Sequence, residues 1–293
     1  MEENLRIYVK DFHLDHIFDC GQAFRWEKET DGSYTGIAGS HAANLQFTQQ
    51  EGGAPGEGTL LISEETGGVG EESRLFWEKY LDLHRSYGEI KETLEKTGDV
   101  MKRAIQYGYG IRLLQQDKWE TILSFLISQN NHIPRIKKCI RLLCENFGEK
   151  AGICRGRVYY SVPQPETLAA LKPEELEVCR LGYRAKYLIE TARQVVEDGL
   201  EKLEQMGGEG VAYEEAFQYI TRFCGVGPKV ANCILLFSMG QYASFPIDVW
   251  VKKVMKELYG LETPGQMKEF AQKNFGQYSG FAQQYLFYYI RSK

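Results

Sequence analysis

The sequence has 293 residues, of which 43% are hydrophobic and 26% are charged, and its formal net charge is −5. These values are ordinary for a globular protein with one large domain or two smaller ones. No apolar run approaches the roughly 18 residues of a membrane span, and the charged start MEENLRIYVKDF lacks the apolar core of a signal peptide, so we expect a cytoplasmic protein.

The first hundred residues favour β-structure. Short runs with partial alternation predict strands at 5–9, 34–38, 44–48 and 59–63. Glycine-rich segments predict loops at 51–58 and 67–70, and the pattern at 74–83 is typical of a helix. We therefore expect an N-terminal antiparallel sheet domain over residues 1–105.

From about residue 117 the pattern becomes helical. Helices are predicted at 117–128, 133–148, 183–199, 214–225, 229–240, 248–260 and 279–293. Strands and helices do not alternate, which argues against a β/α barrel. The predicted class is α+β, with a helical domain over residues 106–293.

Charge is distributed unevenly along the chain. Residues 51–99 contain 12 Asp/Glu and 5 Lys/Arg, a net of −7, which leaves +2 for the remainder of the −5. Segment 129–141 carries Arg135, Lys137, Lys138 and Arg141 and no acid. Such a patch can bind DNA despite the acidic whole, although a solvated helix face explains this segment alone more simply.

The seven cysteines have scattered spacings and no CxxC pair. This pattern predicts reduced thiols and argues against a zinc or iron–sulfur site, so we expect no metal site.

The segment ITRFCGVGPKVANCIL predicts two helices joined by a tight Gly-Val-Gly turn. Gly225 and Gly227 permit positive φ, and Pro228 suits a first helical position. Free N–H groups at such a turn can hold a DNA phosphate. A corner between helices that merely packs is the alternative.

Lys229 stands at a helix start, where the dipole disfavours a cation. The dipole and partial burial both disfavour the charged form of an amine, and a neutral amine is a nucleophile. Asp248 is predicted to cap the next helix, which explains an isolated aspartate. If both helix starts face one cleft, the Asp248 carboxylate can also stabilise developing positive charge or move protons.

These residues, with their Gly-rich hairpin and downstream Pro/Asp loop, resemble the helix-hairpin-helix DNA glycosylase superfamily. Four further segments resemble, in chain order, the 8-oxoguanine DNA glycosylase/AP lyase of eukaryotic type: CGQAFRW (20–26), SQNNHIPRI (128–136), LGYRAKY (181–187) and YSGFAQQYLF (278–287). The sequence is thereby identified as a bacterial or archaeal member of that family.

The resemblance implies a TATA-binding-protein-like sheet domain packed on a helical domain. It implies base excision repair of 8-oxoguanine and formamidopyrimidine-guanine opposite cytosine in double-stranded DNA, with the damaged nucleotide flipped into a pocket. Lys229 would attack C1′, Asp248 would support the cationic transition state, and the Schiff base would permit β-elimination. We expect a monomer that is associated with the nucleoid and not with a membrane. It would require no cofactor, and its hairpin could hold an alkali cation.

The resemblance also assigns the remaining site residues. Gly21 would offer its carbonyl to N7–H of the lesion, Gln283 would bond its Watson–Crick edge, and Phe287 and Cys233 would sandwich it, with Pro246 in the same pocket. The remaining residues would face the DNA. The orphaned cytosine would be bound by Asn130, Arg135 and Arg184, and Tyr183 would act as a wedge beside it. The hairpin would contact the DNA through Gly225 and Gly227. Two positions depart from the family: Cys224 replaces a usual Pro, and Trp250 replaces a common His.

Three competing functions stay open at this point. A non-enzymatic helix-hairpin-helix DNA-binding protein explains the hairpin but leaves Lys229 and Asp248 unexplained. A glycosylase for another damaged base is the second alternative, although the alkylpurine type typically lacks the lysine and the endonuclease type carries clustered cysteines near its C-terminus. A small-molecule Schiff-base enzyme is the third, and it would be more typical of a β/α barrel.

Overall fold

The computed structural model describes residues 3–65, 70–208 and 210–291. Its N-terminal part contains the strands β1 (Glu3–Val9), β2 (Trp26–Lys28), β3 (Tyr34–Ala38), β4 (His41–Gln49) and β5 (Gly58–Glu64). They form one antiparallel sheet in the order β1-β5-β4-β3-β2. The four predicted strands are confirmed. Strand β2 was not predicted, because three residues are too few to show alternation.

Two helices pack on this sheet, α1 (Leu14–Phe18) and α2 (Glu71–Tyr80). Trp26, Trp77 and Phe18 are almost fully buried between sheet and helices, and the Trp26 indole donates to the Tyr80 hydroxyl at 2.9 Å. The predicted helix at 74–83 is therefore real but lies three residues earlier, and it ends before Asp82, whose φ is 52°. Of the predicted loop at 67–70, residues 67–69 lie outside the described residues.

The helical part contains α3 (Tyr87–Glu95), α4 (Asp99–Tyr107), α5 (Lys118–Ser128), α6 (Ile133–Phe147), α7 (Pro165–Ala169), α8 (Arg184–Asp198), α9 (Leu200–Met206), α10 (Tyr213–Thr221), α11 (Pro228–Ser238), α12 (Val249–Tyr259), α13 (Pro264–Asn274) and α14 (Ser279–Arg291). Short 3₁₀ helices lie at Pro173–Cys179 and Gly276–Tyr278. All seven predicted helices are present, and the α+β class is confirmed. The helix predicted at 214–225 ends early, at Thr221, four residues before Gly225.

A hairpin of β6 (Lys150–Cys154) and β7 (Arg157–Tyr160) interrupts the helices and was not predicted. Its turn is Arg155-Gly156, with φ of 50° and 70°, which matches a type I′ hairpin turn. The hairpin reaches the sheet domain, where Arg155 pairs with Asp31 at 2.7 Å and Arg157 with Glu27 at 3.2 Å. These ion pairs link the two parts of the chain.

Buried side chains form two clusters. One lies under the sheet and includes Trp26, Tyr34 and Trp77. The other joins the helices, and α3 and α4 contribute Tyr87 and Met101 to it. The division at residue 105 stays a prediction. The packing of α3 and α4 groups both helices with the helical part, although they lie mostly before that division.

Two further properties concern the described residues as a whole. Among them, no group of three or more His, Cys, Asp or Glu side chains is arranged to hold a metal ion. None of the helices in the described ranges has the length and apolarity needed to cross a membrane.

Candidate active site

The glycine turn joins α10 to α11, and its two glycines differ. Gly225 has φ +81°, and a Cβ built on it would lie 2.5 Å from the Tyr187 ring, so the fold itself requires glycine there. Gly227 has φ −90° and ψ 175°, which any residue can adopt, and a Cβ on it would meet nothing within 4 Å. Of the two glycines that permit positive φ, Gly225 adopts it and Gly227 does not. The exposed Gly227 leaves its backbone open to close approach by a ligand.

Lys229 occupies the second position of α11, after Pro228 at the first, as the sequence predicts. Its side chain is half-buried, and its Nζ lies 5.5 Å from the ring centroid of Phe125 on α5. A cleft with a volume of about 830 Å³ opens beside this helix start, and Pro228, Lys229 and Lys252 are among its lining residues. The amine thus sits against an aromatic ring at the edge of an open cleft.

Asp248 caps α12, and its carboxylate accepts a hydrogen bond from the Val251 N–H at 2.7 Å. Burial raises the pKa of Asp248, while that hydrogen bond and the nearby positive charge of Lys229 act in the opposite direction. The charge of Lys229 therefore acts on Asp248, and both side chains stand at helix starts, those of α11 and α12. The carboxylate can balance a positive charge formed at the lysine or at its bonding partner.

Cys233 lies one turn after Lys229 on α11 and is buried. Burial raises the pKa of its thiol, and the charge of Lys229 lowers it by a smaller amount. The neutral thiol is consistent with an apolar wall beside the amine, rather than with a second nucleophile.

Gly21, predicted to face the lesion, contacts Phe287 of α14. A Cβ on Gly21 would lie 3.3 Å from two atoms of the Phe287 ring, and Gly21 has φ +75°. The guanidinium of Arg291 lies 5.5 Å from the centroid of the same ring and donates a hydrogen bond to the Asp19 carbonyl. The last helix of the chain is thereby joined to the loop that carries Gly21.

Gln22 holds that loop in place, a role that the sequence reasoning missed. Its buried side-chain amide donates to the carbonyls of Ile17 at 2.9 Å and Arg112 at 2.7 Å, and it accepts from the Leu114 N–H at 2.9 Å. Its own carbonyl accepts from Gln116 at 2.9 Å. The signal was present in CGQAFRW, because a glutamine between buried residues must find partners for its amide.

Gln283 and Phe287 lie one turn apart on α14 and so share a face of that helix. Gln283 is buried, and its Oε1 accepts from the Gln284 side chain at 2.8 Å. Close packing of Gly280 against Leu236 brings α14 onto α11, the helix of Lys229 and Cys233. Pro246 is buried in the segment that leads to Asp248.

The predicted cytosine-binding residues gather around the loop at 129–131. The Arg184 side chain is only 3% exposed and donates to the carbonyls of Gln129 at 2.9 Å, Asn130 at 2.9 Å and Leu181 at 3.2 Å. Arg184 therefore binds the loop backbone in this structure. Asn130 is exposed, with φ +47°, a left-handed conformation that asparagine tolerates better than most residues.

Tyr183 and Arg135 border the same loop. Tyr183 is 52% exposed, and its ring packs edge-on against Tyr187, which also lies under the glycine turn. Arg135 is exposed and donates to the Arg180 carbonyl at 3.4 Å. Both side chains can reach a ligand placed over the loop.

The predicted basic patch on α6 is smaller than the sequence suggests. Lys137 points inward and donates to the Trp26 carbonyl at 2.6 Å, and burial lowers its pKa. Arg141 pairs with Glu145 at 3.1 Å. Arg135 and Lys138 are exposed.

Comparison with known families covers most of the chain. Residues 4–122 match the model described as 8-oxoguanine DNA glycosylase, N-terminal domain, and residues 123–277 match the HhH-GPD superfamily base excision DNA repair protein. The N-glycosylase/DNA lyase of Saccharomyces cerevisiae is 32% identical over 269 residues, which is 87% of this chain and 70% of the yeast protein.

Two other proteins extend the similarity. The Arabidopsis thaliana N-glycosylase/DNA lyase OGG1 is 28% identical over 97% of this chain and 78% of its own. The Clostridium acetobutylicum 8-oxoguanine glycosylase/lyase, solved with double-stranded DNA containing cytosine opposite 8-oxoG, is similar with a TM-score of 0.87 and 39% identity. That alignment covers 100% of this chain and 98% of the Clostridium chain.

Proposed function

The chain belongs to the HhH-GPD superfamily of base excision DNA repair proteins and carries the N-terminal domain of 8-oxoguanine DNA glycosylases, and we propose that it excises 8-oxoguanine from duplex DNA. It is a DNA N-glycosylase that also cleaves the abasic site it creates. The observation that supports this proposal is the position of Lys229 and Asp248 at two helix starts, where the charge of Lys229 acts to lower the pKa of Asp248, next to a glycine turn with an exposed Gly227.

Lys229 supplies the nucleophile. Its amine forms a bond to C1′ of the flipped nucleotide while the glycosidic bond breaks and its electron pair leaves with the base, which takes up a proton. Opening of the sugar ring gives a Schiff base, and loss of a C2′ proton then expels the 3′ phosphate by β-elimination. Water hydrolyses the Schiff base and returns the free amine. Because the nucleophile is the protein's own side chain, the reaction needs no cofactor.

Asp248 supports the same step by charge. Positive charge develops on the sugar as the base departs and then resides on the iminium, and a carboxylate within reach stabilises both. Burial makes the interaction stronger than it would be in water. The hydrogen bond from the Val251 N–H holds the carboxylate in place during the reaction.

Recognition of the lesion is proposed for the Gly21 loop. Guanine has an acceptor at N7, whereas 8-oxoguanine has an N–H donor there, so a fixed carbonyl bonds the damaged base and repels the normal one. Contact between Gly21 and Phe287 supports this role, because a base stacked on Phe287 would lie beside the glycine backbone. Formamidopyrimidine-guanine keeps an N–H at the same position and is proposed as a second substrate.

Recognition of the orphaned cytosine is proposed for the loop at 129–131. Arg135 and Asn130 are exposed there, and Arg184 fixes the loop from beneath. Arg135→Ala is expected to shift activity toward lesions opposite thymine or adenine, because one good base contact contributes about 1 to 3 kcal/mol of discrimination. An unchanged ratio of excision rates across all four partner bases would exclude this role.

The glycine turn is proposed to bind a phosphate of the DNA backbone, with an alkali cation on its carbonyls. The open position of Gly227 supports the backbone contact. The cation is tested by comparing DNA binding in potassium chloride and in tetramethylammonium chloride of equal ionic strength, since ionic strength alone also changes binding. Equal dissociation constants would remove the cation from this site.

A monomer suffices for this reaction, because the proposed nucleophile, reader and cytosine-binding residues all come from one chain. In a bacterial or archaeal cell the substrate is the chromosome, so we propose a cytoplasmic, nucleoid-associated location. A fluorescent fusion that does not follow the DNA would contradict that location.

The test of the proposed function is a cleavage assay on duplexes with 8-oxoguanine opposite each of the four bases. Borohydride added during the reaction should trap a covalent protein–DNA adduct, which a non-enzymatic DNA-binding protein would not form. Excision opposite cytosine should exceed excision opposite the other bases. If the protein is trapped on duplexes with another damaged base but not on those with 8-oxoguanine, the proposed substrate is wrong and that other base takes its place.

A further inference from the structure

Two exposed apolar side chains directly follow Asp248. Val249 is 73% exposed and Trp250 is 37% exposed, although both belong to the first turn of α12. The chain has four tryptophans, and the other three, Trp26, Trp77 and Trp119, are at most 4% exposed. An aromatic ring left in solvent beside a reactive centre suggests a contact made only when a ligand is bound.

The charges around this pair favour an anionic, aromatic ligand. Lys252 and Lys253, two and three residues after Trp250, are both exposed, and the Nζ of Lys253 lies 5.8 Å from the Trp250 ring centroid. Residues 249–256 contain no acidic side chain. Aromatic rings interleaved with lysines are the combination by which proteins hold unstacked nucleotides, since every base offers a π-face and every nucleotide a phosphate.

The position of Val249 and Trp250 indicates which nucleotide of the DNA they would contact. Consecutive Cα atoms are about 3.8 Å apart, so the Trp250 backbone lies within about 7.6 Å of that of Asp248. The Asp248 carboxylate must stand beside the sugar of the flipped lesion. A side chain at Trp250 is therefore within reach of the next nucleotide of the same strand, whereas Tyr183 borders the cytosine-facing loop.

We propose that Val249 and Trp250 form an apolar contact surface for the lesion-bearing strand, with Trp250 packing its ring on the nucleotide next to the flipped one. The positive charges of Lys252 and Lys253 offset the negative charges of the phosphates that flank this nucleotide. The inference rests on the proposed function, because it places the lesion sugar at Asp248. It adds a strand-positioning residue to the proposed site.

Intrinsic fluorescence tests the contact directly, because acrylamide should quench Trp250 much more than the three buried tryptophans. The probe is a duplex with a tetrahydrofuran abasic analogue opposite cytosine, which binds without being cleaved. Saturation with this duplex should remove most of the acrylamide-sensitive emission, and Trp250→Phe should remove that emission already in the free protein. Continued quenching of Trp250 in the saturated complex would overturn the proposal.

Variants at position 250 test its importance. Trp250→Ala should weaken binding of the abasic-analogue duplex by about fivefold to a hundredfold, the range for loss of one base-stacking ring. Trp250→Phe should stay within about threefold of the parent protein, because its ring still stacks. Leu75→Ala is the matched control, since Leu75 is 54% exposed on α2 of the sheet domain, and its binding should not change.

The outcomes separate this inference from the proposed function. A protein that traps on 8-oxoguanine DNA while Trp250→Ala binds like the parent would overturn the inference alone. Thermal unfolding of each variant shows whether weaker binding reflects lost folding, and equal melting temperatures are expected because Trp250 is exposed. Failure to trap on any damaged duplex would instead contradict the proposed function.

Discussion

The half of the site proposed to perform the chemistry and the half proposed to read the base are built differently. Lys229 and Asp248 come from two successive helices of the helical part, and each is fixed by its place at a helix start. Gly21 comes from the sheet part and is fixed by Gln22, which is bonded to distant backbone, and by contact with Phe287.

With the proposed roles, catalysis and selectivity would depend on different parts of the chain. Local helix geometry places the proposed nucleophile and its carboxylate, and both residues belong to the helical part. Lesion reading depends on packing between segments far apart in the chain. Substitutions in the chemical half should therefore stop the reaction for every substrate, and substitutions in the reading half should change which base is removed.

The largest effect is expected from Lys229→Gln. An amide nitrogen is not nucleophilic, so covalent trapping and nearly all excision should disappear. DNA binding should persist, because phosphate contacts supply most of it. Lys252→Gln, a lysine of the same cleft, is the control and should still trap. A reducible adduct in Lys229→Gln would mean that another amine is the nucleophile.

Asp248→Asn should reduce excision by at least about a hundredfold, because the charge is lost while asparagine caps a helix about as well. Since burial raises the pKa of Asp248, parent activity should fall at acidic pH at a value above the ordinary one for aspartate, and the variant should lack that decline. Asp117→Asn changes another N-cap, on α5, and should leave the rate unchanged. If Asp248→Asn turns over like the parent protein, Asp248 serves only as a helix cap.

Gly21→Val tests the reading half. A side chain would meet the Phe287 ring and would be strained at φ +75°, so excision of 8-oxoguanine should fall by about tenfold to a hundredfold, from loss of one buried hydrogen bond. Binding to undamaged DNA should be nearly intact. Gly32→Val is the control, because Gly32 also has positive φ in the sheet part but meets nothing within 4 Å. Equal losses in both variants would indicate a general folding defect.

The smallest effects are expected from substitutions of Gly225 and Gly227, and the two substitutions should act differently. Gly225→Ala should lower the melting temperature, because its Cβ would collide with Tyr187 and its φ is +81°. Gly227→Ala should melt like the parent and yet bind DNA several-fold more weakly, because a methyl group would stand where a phosphate approaches. Normal DNA binding by Gly227→Ala would remove the phosphate contact from this residue.

Much of the fold follows from local patterns. The four long strands and seven helices were predictable because their side chains repeat with the period of the element, and Asp248 and Pro228 mark helix starts by their own chemistry. The hairpin at 150–160 and helices α3 and α4 were not predicted. Their sequences are short or highly charged, and they are ordered by packing against other parts of the chain.

The sequence by itself placed Lys229 and Asp248 at helix starts, because a proline before the lysine and a capping aspartate are recognised from neighbouring residues. The chemistry proposed for the two residues came from the ordered resemblance of several segments to a known family. Only the tertiary structure decided the direction and the partners of the candidate side chains. Lys137 turns inward to the sheet part, Arg184 binds the loop at 129–131, and Gly227 needs no positive φ. These outcomes depend on groups far away in the sequence, and the direction of a side chain is set by whichever distant partner satisfies its hydrogen bonds and burial.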